Sequence, residues 1–329
     1  MTLALPRIRD NADGWAQIWP QHGCANKQGR RMSRTGATAL ILMGATFMSF
    51  VGLLMRLIDS ADGYQILTYR SISLAGMVAV VACLRRRVSP LRFLASLGRT
   101  DAAMGLALAL AFATYIFAML NTSVASTLFI LSLTPLCTAV LAWIWIKERP
   151  SAMTFCSMAL AGVGVWVMVR GGLNLGQTFG NLLAFASAVF FAIMLVLARR
   201  SRRPDVLGGT FLGGVFCCAI GIVAALGIGN GLAVSAHDFW MVLAMGGLTI
   251  GIGIACVTWG SAYLPAAETS LLVLIESVLG PIWVWVFVAE AMTAPEMLGG
   301  SIVLAAVAAQ ALVPRLMAPA TSPAATMRD

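Results

Sequence analysis

Two ionisable side chains lie inside long apolar stretches of the sequence, where they could do chemistry that the surrounding residues cannot. Glu276 stands in the stretch LIESVLGPIWVWVFV, and Arg70 follows Tyr69 in a second stretch. A charged side chain at the centre of a lipid bilayer costs about 2.5 to 3.5 kcal/mol on insertion scales, so it usually has a function or a partner there. Burial favours the protonated form of an acid, which suits a group that takes up and releases protons.

Each of the two residues has more than one interpretation. Glu276 either faces a central cavity, where it binds protons or a cationic part of a substrate, or is a permanently protonated acid bonded to a neighbouring helix. Arg70 either extends its side chain towards the membrane interface, pairs with an acid, or points inward as a site for an anion.

Hydroxyl, aromatic and acidic residues near these stretches complete the candidate set. The predicted wall of a cavity includes Tyr115, Thr134, Pro135, Trp259, Tyr263 and Ser277. Tyrosine and tryptophan are also common at both membrane interfaces, so an interfacial position is the alternative for the aromatic members. Glu148 and Glu290 end their apolar segments near headgroup depth and are predicted to be anchors or gate contacts. Five aspartates in loops or at segment ends are predicted to be solvated: Asp59, Asp62, Asp101, Asp205 and Asp238.

The composition requires that a membrane surrounds these residues. Of the 329 residues, 60% are apolar and 11% are charged, whereas about a quarter are charged in a typical soluble domain. With a mean hydropathy of +0.88, these values exclude a soluble globular protein and a disordered chain. A spanning helix needs about 20 apolar residues. Ten segments meet that criterion: 37–58, 64–84, 102–120, 124–146, 152–169, 179–198, 208–228, 238–258, 266–288 and 295–313. The predicted fold is therefore an all-α polytopic membrane protein.

The distribution of basic residues predicts the orientation of these segments. Nineteen of the 22 lysines and arginines fall in the tails or in the connections after the second, fourth and sixth segments. Because basic residues collect in cytoplasmic loops, both termini of this multi-pass protein are predicted to be cytoplasmic. The net charge of +9 then marks topology and does not indicate a nucleic-acid partner.

The predicted domains are two five-helix repeats, at 37–169 and 179–313, joined by a loop at 170–178. A basic tail at 1–36 precedes them and a cytoplasmic tail at 314–329 follows. The first tail is either a solvated segment or, up to Met32, the product of a wrongly assigned start site. Seven scattered cysteines show no C-x-x-C pair and no histidine nearby, so no disulfide, metal site or other cofactor is predicted.

The two repeats share a predicted interruption of their fourth helix. With an offset of 142 residues, the stretch 125–148 aligns with 267–290, and both end in Trp followed five residues later by Glu. The first is predicted to break at Thr134-Pro135, and the second at Glu276-Ser277 with Gly280-Pro281 following, since proline removes a helical hydrogen bond. Because five is odd, the halves must be inverted. Matched interruptions in inverted halves indicate a binding site at the membrane midplane, with a simple packing kink as the alternative.

At these residues the chain resembles the drug/metabolite transporter superfamily, in particular its EamA-like branch of ten-helix carriers. The resemblance covers residues 37–313 and depends on Tyr69-Arg70 and on the stretches 132–150, 180–192 and 274–290. The family often has Glu-Pro in the middle of its ninth helix, whereas here serine follows the glutamate and the proline is displaced to position 281. The resemblance implies a multi-pass carrier of the inner (cell) membrane that moves small metabolites such as amino acids, vitamins, nucleobase-like compounds or drugs.

The sequence therefore predicts a secondary active transporter that moves a small-molecule solute across the lipid bilayer by alternating access. Export is favoured, uptake or facilitative exchange is the alternative, and coupling to protons depends on Glu276 alone. Both histidines, His22 and His237, lie outside the spans, which disfavours an intramembrane enzyme. Neither a filter-like loop nor a ring of like charges indicates a channel. The oligomeric state is either a monomer or a homodimer.

Overall fold

The described part of the chain is helical, as the sequence predicts. The computed structural model describes residues 33–147, 152–170, 175–201, 206–261, 263–264, 269 and 272–316, and these ranges contain no strand. Seven of the helices are long and apolar enough to cross a membrane, and three shorter apolar helices accompany them. The all-α polytopic membrane fold is thus confirmed, while the count of ten spans stays a prediction. Glu148, Asp205 and residues 1–32 of the basic tail lie outside the described residues.

The helices follow the predicted segments along the chain. The first half contains α1 (Arg34–Arg56), α2 (Gly63–Arg86), α3 (Pro90–Ala95), α4 (Arg99–Asn121), α5 (Val124–Leu131), α6 (Thr134–Ile146) and α7 (Ala152–Arg170). The second half contains α8 (Leu175–Arg200), α9 (Leu207–Gly227), α10 (Ala236–Ala244), a π-helix (Met245–Gly251), α11 (Ile252–Gly260), α12 (Ile275–Val288) and α13 (Ala294–Leu316).

Helices of the two halves pack against each other, so neither half stands alone. Helix α4 packs on α8 and α9, α2 packs on α9, α1 packs on α11 and α12, and α7 packs on α13. The last contact is close because it is made through glycine: a Cβ atom at Gly164 would lie 2.7 Å from the Gly299 carbonyl oxygen. Small residues of this kind let helix backbones approach each other in a membrane.

The interruption predicted in the first repeat is present. Helix α5 ends at Leu131 and α6 begins at Thr134, with Pro135 in its first turn. A proline there costs little, because the N–H groups of the first turn have no partner within the helix. The sequence therefore placed this break correctly.

The second repeat is interrupted at the equivalent place: residues 272–273 are helical and Leu274 forms a turn before α12. Helix α12 begins at Ile275, so Glu276 and Ser277 lie in its first turn, and Pro281 lies inside the helix without breaking it. Ser277 occupies the position equivalent to Pro135, and because serine keeps its N–H it donates to the Leu274 carbonyl (3.1 Å). The helix can therefore start before the glutamate, and Pro281 removes a single hydrogen bond further along.

Both half-helices end in the same unusual backbone turn. Lys147, after α6, has φ of 62°, and Ala289, after α12, has φ of 57°. A residue with a Cβ atom seldom adopts this left-handed conformation, which costs of order 1 to 3 kcal/mol. The two positions are 142 residues apart, so the structure reproduces the offset between the repeats, and each turn directly precedes a predicted gate glutamate.

Candidate functional site

Arg70 lies where four elements of the bundle meet. Helix α2 carries it, and α4 places Phe112 and Tyr115 against its guanidinium group. The π-helix lies behind its backbone, where a Cβ atom at Gly246 would collide with the Arg70 carbonyl oxygen. Cys217 of α9 is close enough to interact with it electrostatically. A π-helical segment inside a longer helix is frequent at functional sites.

The Arg70 side chain is enclosed between aromatic rings. Its Cζ atom lies 4.7 Å from the ring centroid of Phe112 and 5.7 Å from that of Tyr115, within the range of cation–π attraction. The residue is 2% exposed, so it does not extend to the membrane interface, and that interpretation is wrong. Phe112 and Tyr115 reach the same guanidinium because residues three apart share one face of a helix.

The guanidinium group has no hydrogen-bond partner within the described residues. Its Nε and Nη1 atoms are fully buried and unpaired, as is the hydroxyl oxygen of the adjacent Ser71. These are three of the five such atoms in the described structure, so the unsatisfied polar groups are concentrated at this one place. Buried polar groups are normally paired, so an exception calls for a water, an ion or a ligand.

Glu276 lies near the same place, on the half-helix of the second repeat. It is partly exposed, and Tyr115 interacts electrostatically with both Glu276 and Arg70. The structure thus brings Arg70 of α2 into contact with Tyr115 of α4, and Glu276 of α12 interacts electrostatically with the same tyrosine. We call Arg70, Phe112, Tyr115 and Glu276 the central cluster.

The hydroxyl residues beside the helix breaks are used in hydrogen bonds to the backbone. Thr134 donates to the Leu131 carbonyl (2.6 Å) across the break between α5 and α6. Ser277 makes a long hydrogen bond to the Leu128 carbonyl (3.5 Å), which links α12 to α5. The Thr134 hydroxyl satisfies a carbonyl that Pro135 leaves without an N–H donor, whereas the Leu128 carbonyl also accepts from the Ser132 N–H (3.0 Å). The roles of Thr134, Pro135 and Ser277 in substrate binding stay predictions.

The remaining predicted wall residues lie elsewhere. Trp259 is 58% exposed and Tyr263 is 47% exposed, so both face outward from the bundle. A cavity of about 440 Å³ opens between α1, α12 and α13, and its lining is apolar: Leu42, Leu272, Leu274, Ile275, Val278, Leu304, Ala305 and Ala308. It does not include the central cluster.

A second polar assembly closes the end of the bundle where α1 and α12 finish. Arg56 Nε donates to Glu290 Oε2 (2.6 Å), and Nη2 donates to Glu290 Oε1 (3.3 Å). Its Nη1 and Nη2 atoms also donate to the carbonyls of Met119 (2.7 Å) and Thr122 (2.8 Å). Glu290 accepts in addition from the Val124 N–H (3.1 Å). This Arg56–Glu290 clamp joins the ends of α1, α4 and α12 to the start of α5.

The structure corrects two of the aspartates predicted to be solvated. Asp238 is completely buried, and it accepts from the backbone N–H groups of Asp59, Ser60 and Ala61 and from the Ser60 hydroxyl. Asp101 is also buried and accepts from the Gly98 N–H (2.8 Å). Both carboxylates accept hydrogen bonds from backbone N–H groups that have no partner within a helix. From the sequence, an aspartate with this role looks the same as one that is solvated.

One group of side chains has the composition of a metal site. Among the described residues, Asp59, His237 and Asp238 place their ligand atoms within 4.8 Å of one another. The Asp238 oxygens, however, already accept four hydrogen bonds from the loop at 59–61. The group therefore holds a loop in place and gives no reason to assign a metal.

Sequence reasoning missed Phe112, Arg56 and Asp238. Phe112 could have been found, because it lies one helical turn from Tyr115 on the same predicted span. Arg56 and Asp238 are at segment ends, where polar residues are common. Arg56 is 234 residues away from its partner Glu290, so no local pattern marks the pair.

These observations define a polytopic helical membrane protein with ionisable groups in its interior and an ion-pair clamp at one end. Comparison with known proteins agrees with that class. The sequence matches the EamA-like transporter family over residues 35–170 and again over residues 178–310. The chain belongs to the EamA-like transporter family, and the two matched ranges fit a fold of two repeats.

Two similar proteins extend the comparison. An uncharacterized transporter of Archaeoglobus fulgidus is 24% identical over 282 residues, which cover 84% of this chain and 96% of that protein. A solved crystal structure has the same fold, with a TM-score of 0.61 and 20% identity, over 86% of this chain and 99% of the other. The family match shows that the protein is a membrane transporter.

Proposed function

We propose that this protein is a secondary transporter that moves a small solute across the inner membrane by alternating access around the central cluster. The observation that carries the proposal is the buried, unpaired guanidinium of Arg70 on α2, which contacts the Tyr115 ring. The same tyrosine interacts electrostatically with Glu276 on the interrupted helix. Charged groups inside a membrane bundle mark the path of a substrate or ion. Export with both termini cytoplasmic is the proposed direction and orientation.

Glu276 is the proposed coupling residue. Its place in the first turn of α12 sets it at the positive end of a half-helix dipole, which stabilises the ionised carboxylate. The apolar surroundings favour the neutral acid, so both forms are accessible to the same group. Tyr115 is the titratable residue that interacts electrostatically with Glu276.

Alternating access also requires that each end of the bundle closes in turn. We propose the Arg56–Glu290 clamp as the closure of one end, because it joins four helices, including the half-helix that carries Glu276. Its opening would release α12 from α1 and α4. Glu148, at the equivalent position of the first repeat, is the proposed counterpart at the other end.

Counterflow in proteoliposomes tests the proposal. Purified full-length protein is reconstituted and challenged with a labelled panel of amino acids, nucleobases and vitamins, across a range of pH. We expect saturable counterflow of at least one compound, with a pH dependence that Glu276→Gln abolishes at unchanged protein yield. Asp59→Asn, a change at an exposed acid, serves as the control.

Two results would contradict this function. A flux that does not saturate and is accompanied by conductance would indicate a channel. If transport by the Glu276→Gln variant remained pH-dependent, this residue would be excluded from proton coupling. Metabolite profiles of a deletion strain and an overexpressing strain would then indicate the direction, since an exporter lowers the intracellular level of its solute.

A further inference from the structure

We infer that the transported solute carries an oxyanion, a carboxylate in the simplest case, and that Arg70 binds it through its free N–H groups. The inference rests on the proposed transport function, since it names the chemical class of the substrate at the same site. It is drawn from the unpaired hydrogen-bond donors of the Arg70 side chain and from the residues around them.

The Arg70 side chain has hydrogen-bond donors that it does not use. A guanidinium group has five N–H donors, and the Nε and Nη1 atoms of Arg70 are buried without a hydrogen-bond partner. The partly buried Arg56 makes four bonds with its three nitrogen atoms. The bundle can therefore satisfy an arginine where the role is structural, and it leaves Arg70 unsatisfied.

The positive charge of Arg70 is not compensated by the groups found around it. The groups that act electrostatically on Arg70 are Cys217 and Tyr115, and both are neutral at pH 7 at their usual pKa values. No ion pair to Arg70 is found in the residues that the structure describes. The rings of Phe112 and Tyr115 attract the cation but accept none of its conventional hydrogen bonds. A buried cation in this state lacks an anionic partner.

The shape of the guanidinium group matches that of an oxyanion. The guanidinium is planar and presents its donors as a fork, which fits the two oxygens of a carboxylate or of a phosphate. The rings 4.7 Å and 5.7 Å from Cζ fix the position of that fork. A neutral amide offers one carbonyl oxygen and no charge, so it would bind this group far less well.

Thermal stability of the full-length protein in lipid nanodiscs tests the inference. The probes are benzoate, phenylacetate, succinate and 2-oxoglutarate, the corresponding primary amides, and phenyl phosphate. At least one acid should raise the unfolding temperature in a saturable way, while its amide does not. Arg70→Gln should weaken the dissociation constant of that acid by about 30-fold or more, as expected when one partner of a buried charge pair is removed.

Arg70→Lys and Arg86→Gln make the result interpretable. Arg70→Lys keeps the charge without the planar fork, so binding should be intermediate and folding should be preserved. Arg86 is the matched control, because it lies on the same helix and also stacks on a phenylalanine, with its Cζ 5.4 Å from the Phe93 ring. It donates to the Ser96 hydroxyl (3.2 Å), and Arg86→Gln should bind acids like the unmodified protein.

The outcomes separate this inference from the proposed function. Amides that stabilise the protein as well as acids do, or acids that bind Arg70→Gln with unchanged affinity, would overturn the oxyanion site, as would a panel without any stabilising anion. A stronger effect of phenyl phosphate than of the carboxylates would support the site and assign the oxyanion to phosphate. Saturable counterflow of neutral compounds through Arg70→Gln would leave transport standing and refute the inference. Acid binding without saturable flux would refute transport and leave the oxyanion site standing.

Discussion

Arg56 is partly buried and Arg70 is fully buried, and the two arginines differ in their hydrogen bonding. Arg56, at the end of α1, is bound by a carboxylate and two carbonyl oxygens. The guanidinium group of Arg70, in the interior of α2, is packed between two rings, and its Nε and Nη1 atoms have no hydrogen-bond partner. An arginine with a structural role has hydrogen-bond and ion-pair partners within the protein. A buried charge without such partners lowers the stability of the protein, so it is retained for another reason.

The largest effect is expected from removing the charge at Arg56. Arg56→Gln leaves Glu290 without its ion-pair partner and two carbonyls without strong donors. Because the side chains of Arg56 and Glu290 are 23% and 27% exposed, water replaces part of the loss, and the free energy of unfolding should fall by about 2 to 3 kcal/mol. Thermal unfolding in nanodiscs measures this change.

The double variant with Glu290→Gln supplies the control for the clamp. If the two residues act as one unit, the double variant should lose little more than Arg56→Gln alone, which a double-mutant cycle detects. Strictly additive losses would show that the two side chains do not interact, and the proposed closure would lose its basis.

A smaller effect of opposite sign is expected at Arg70. Arg70→Met replaces an unsatisfied buried cation by an apolar side chain, so the free energy of unfolding should rise by about 1 kcal/mol, while counterflow is lost. Stability and counterflow are measured on the same preparations. A loss of stability as large as that of Arg56→Gln would remove the difference between the two arginines.

Most of the fold could be predicted from the sequence, because the dominant signal is simple. Runs of about 20 apolar residues must become helices in a membrane, since no water is present to bind exposed backbone groups. The break at Thr134 and Pro135 also follows from local chemistry. The break before Glu276 lies at the equivalent position of the second repeat. The continuation of α12 through Pro281 does not follow from local chemistry, because it depends on how Gly280 and Pro281 pack against neighbouring helices.

The site could be predicted in part. Arg70, Glu276 and Tyr115 stand out because a charged or polar group within an apolar run is rare and costly. Their proximity could not be predicted, because it depends on how α2, α4 and α12 pack. Asp238 and the Arg56–Glu290 clamp were missed for the same reason: their partners are 177 to 234 residues distant in the chain.

The smallest effect is expected at the turn that orients Glu290 towards Arg56. Ala289 has φ of 57°, a conformation that glycine adopts without steric cost, and Glu290 follows it directly. Ala289→Gly should therefore raise the free energy of unfolding by about 0.5 to 1 kcal/mol, because the relief of the left-handed strain exceeds the added entropy of the unfolded chain.

Val288→Gly is the matched control: it lies one residue earlier, in helical conformation, and should be destabilising. If both changes destabilised the protein equally, the left-handed turn would store no strain. If Ala289→Gly stabilised the protein and slowed counterflow, the strain at this turn would favour opening of the clamp, which the fully satisfied hydrogen bonds of Arg56 otherwise oppose.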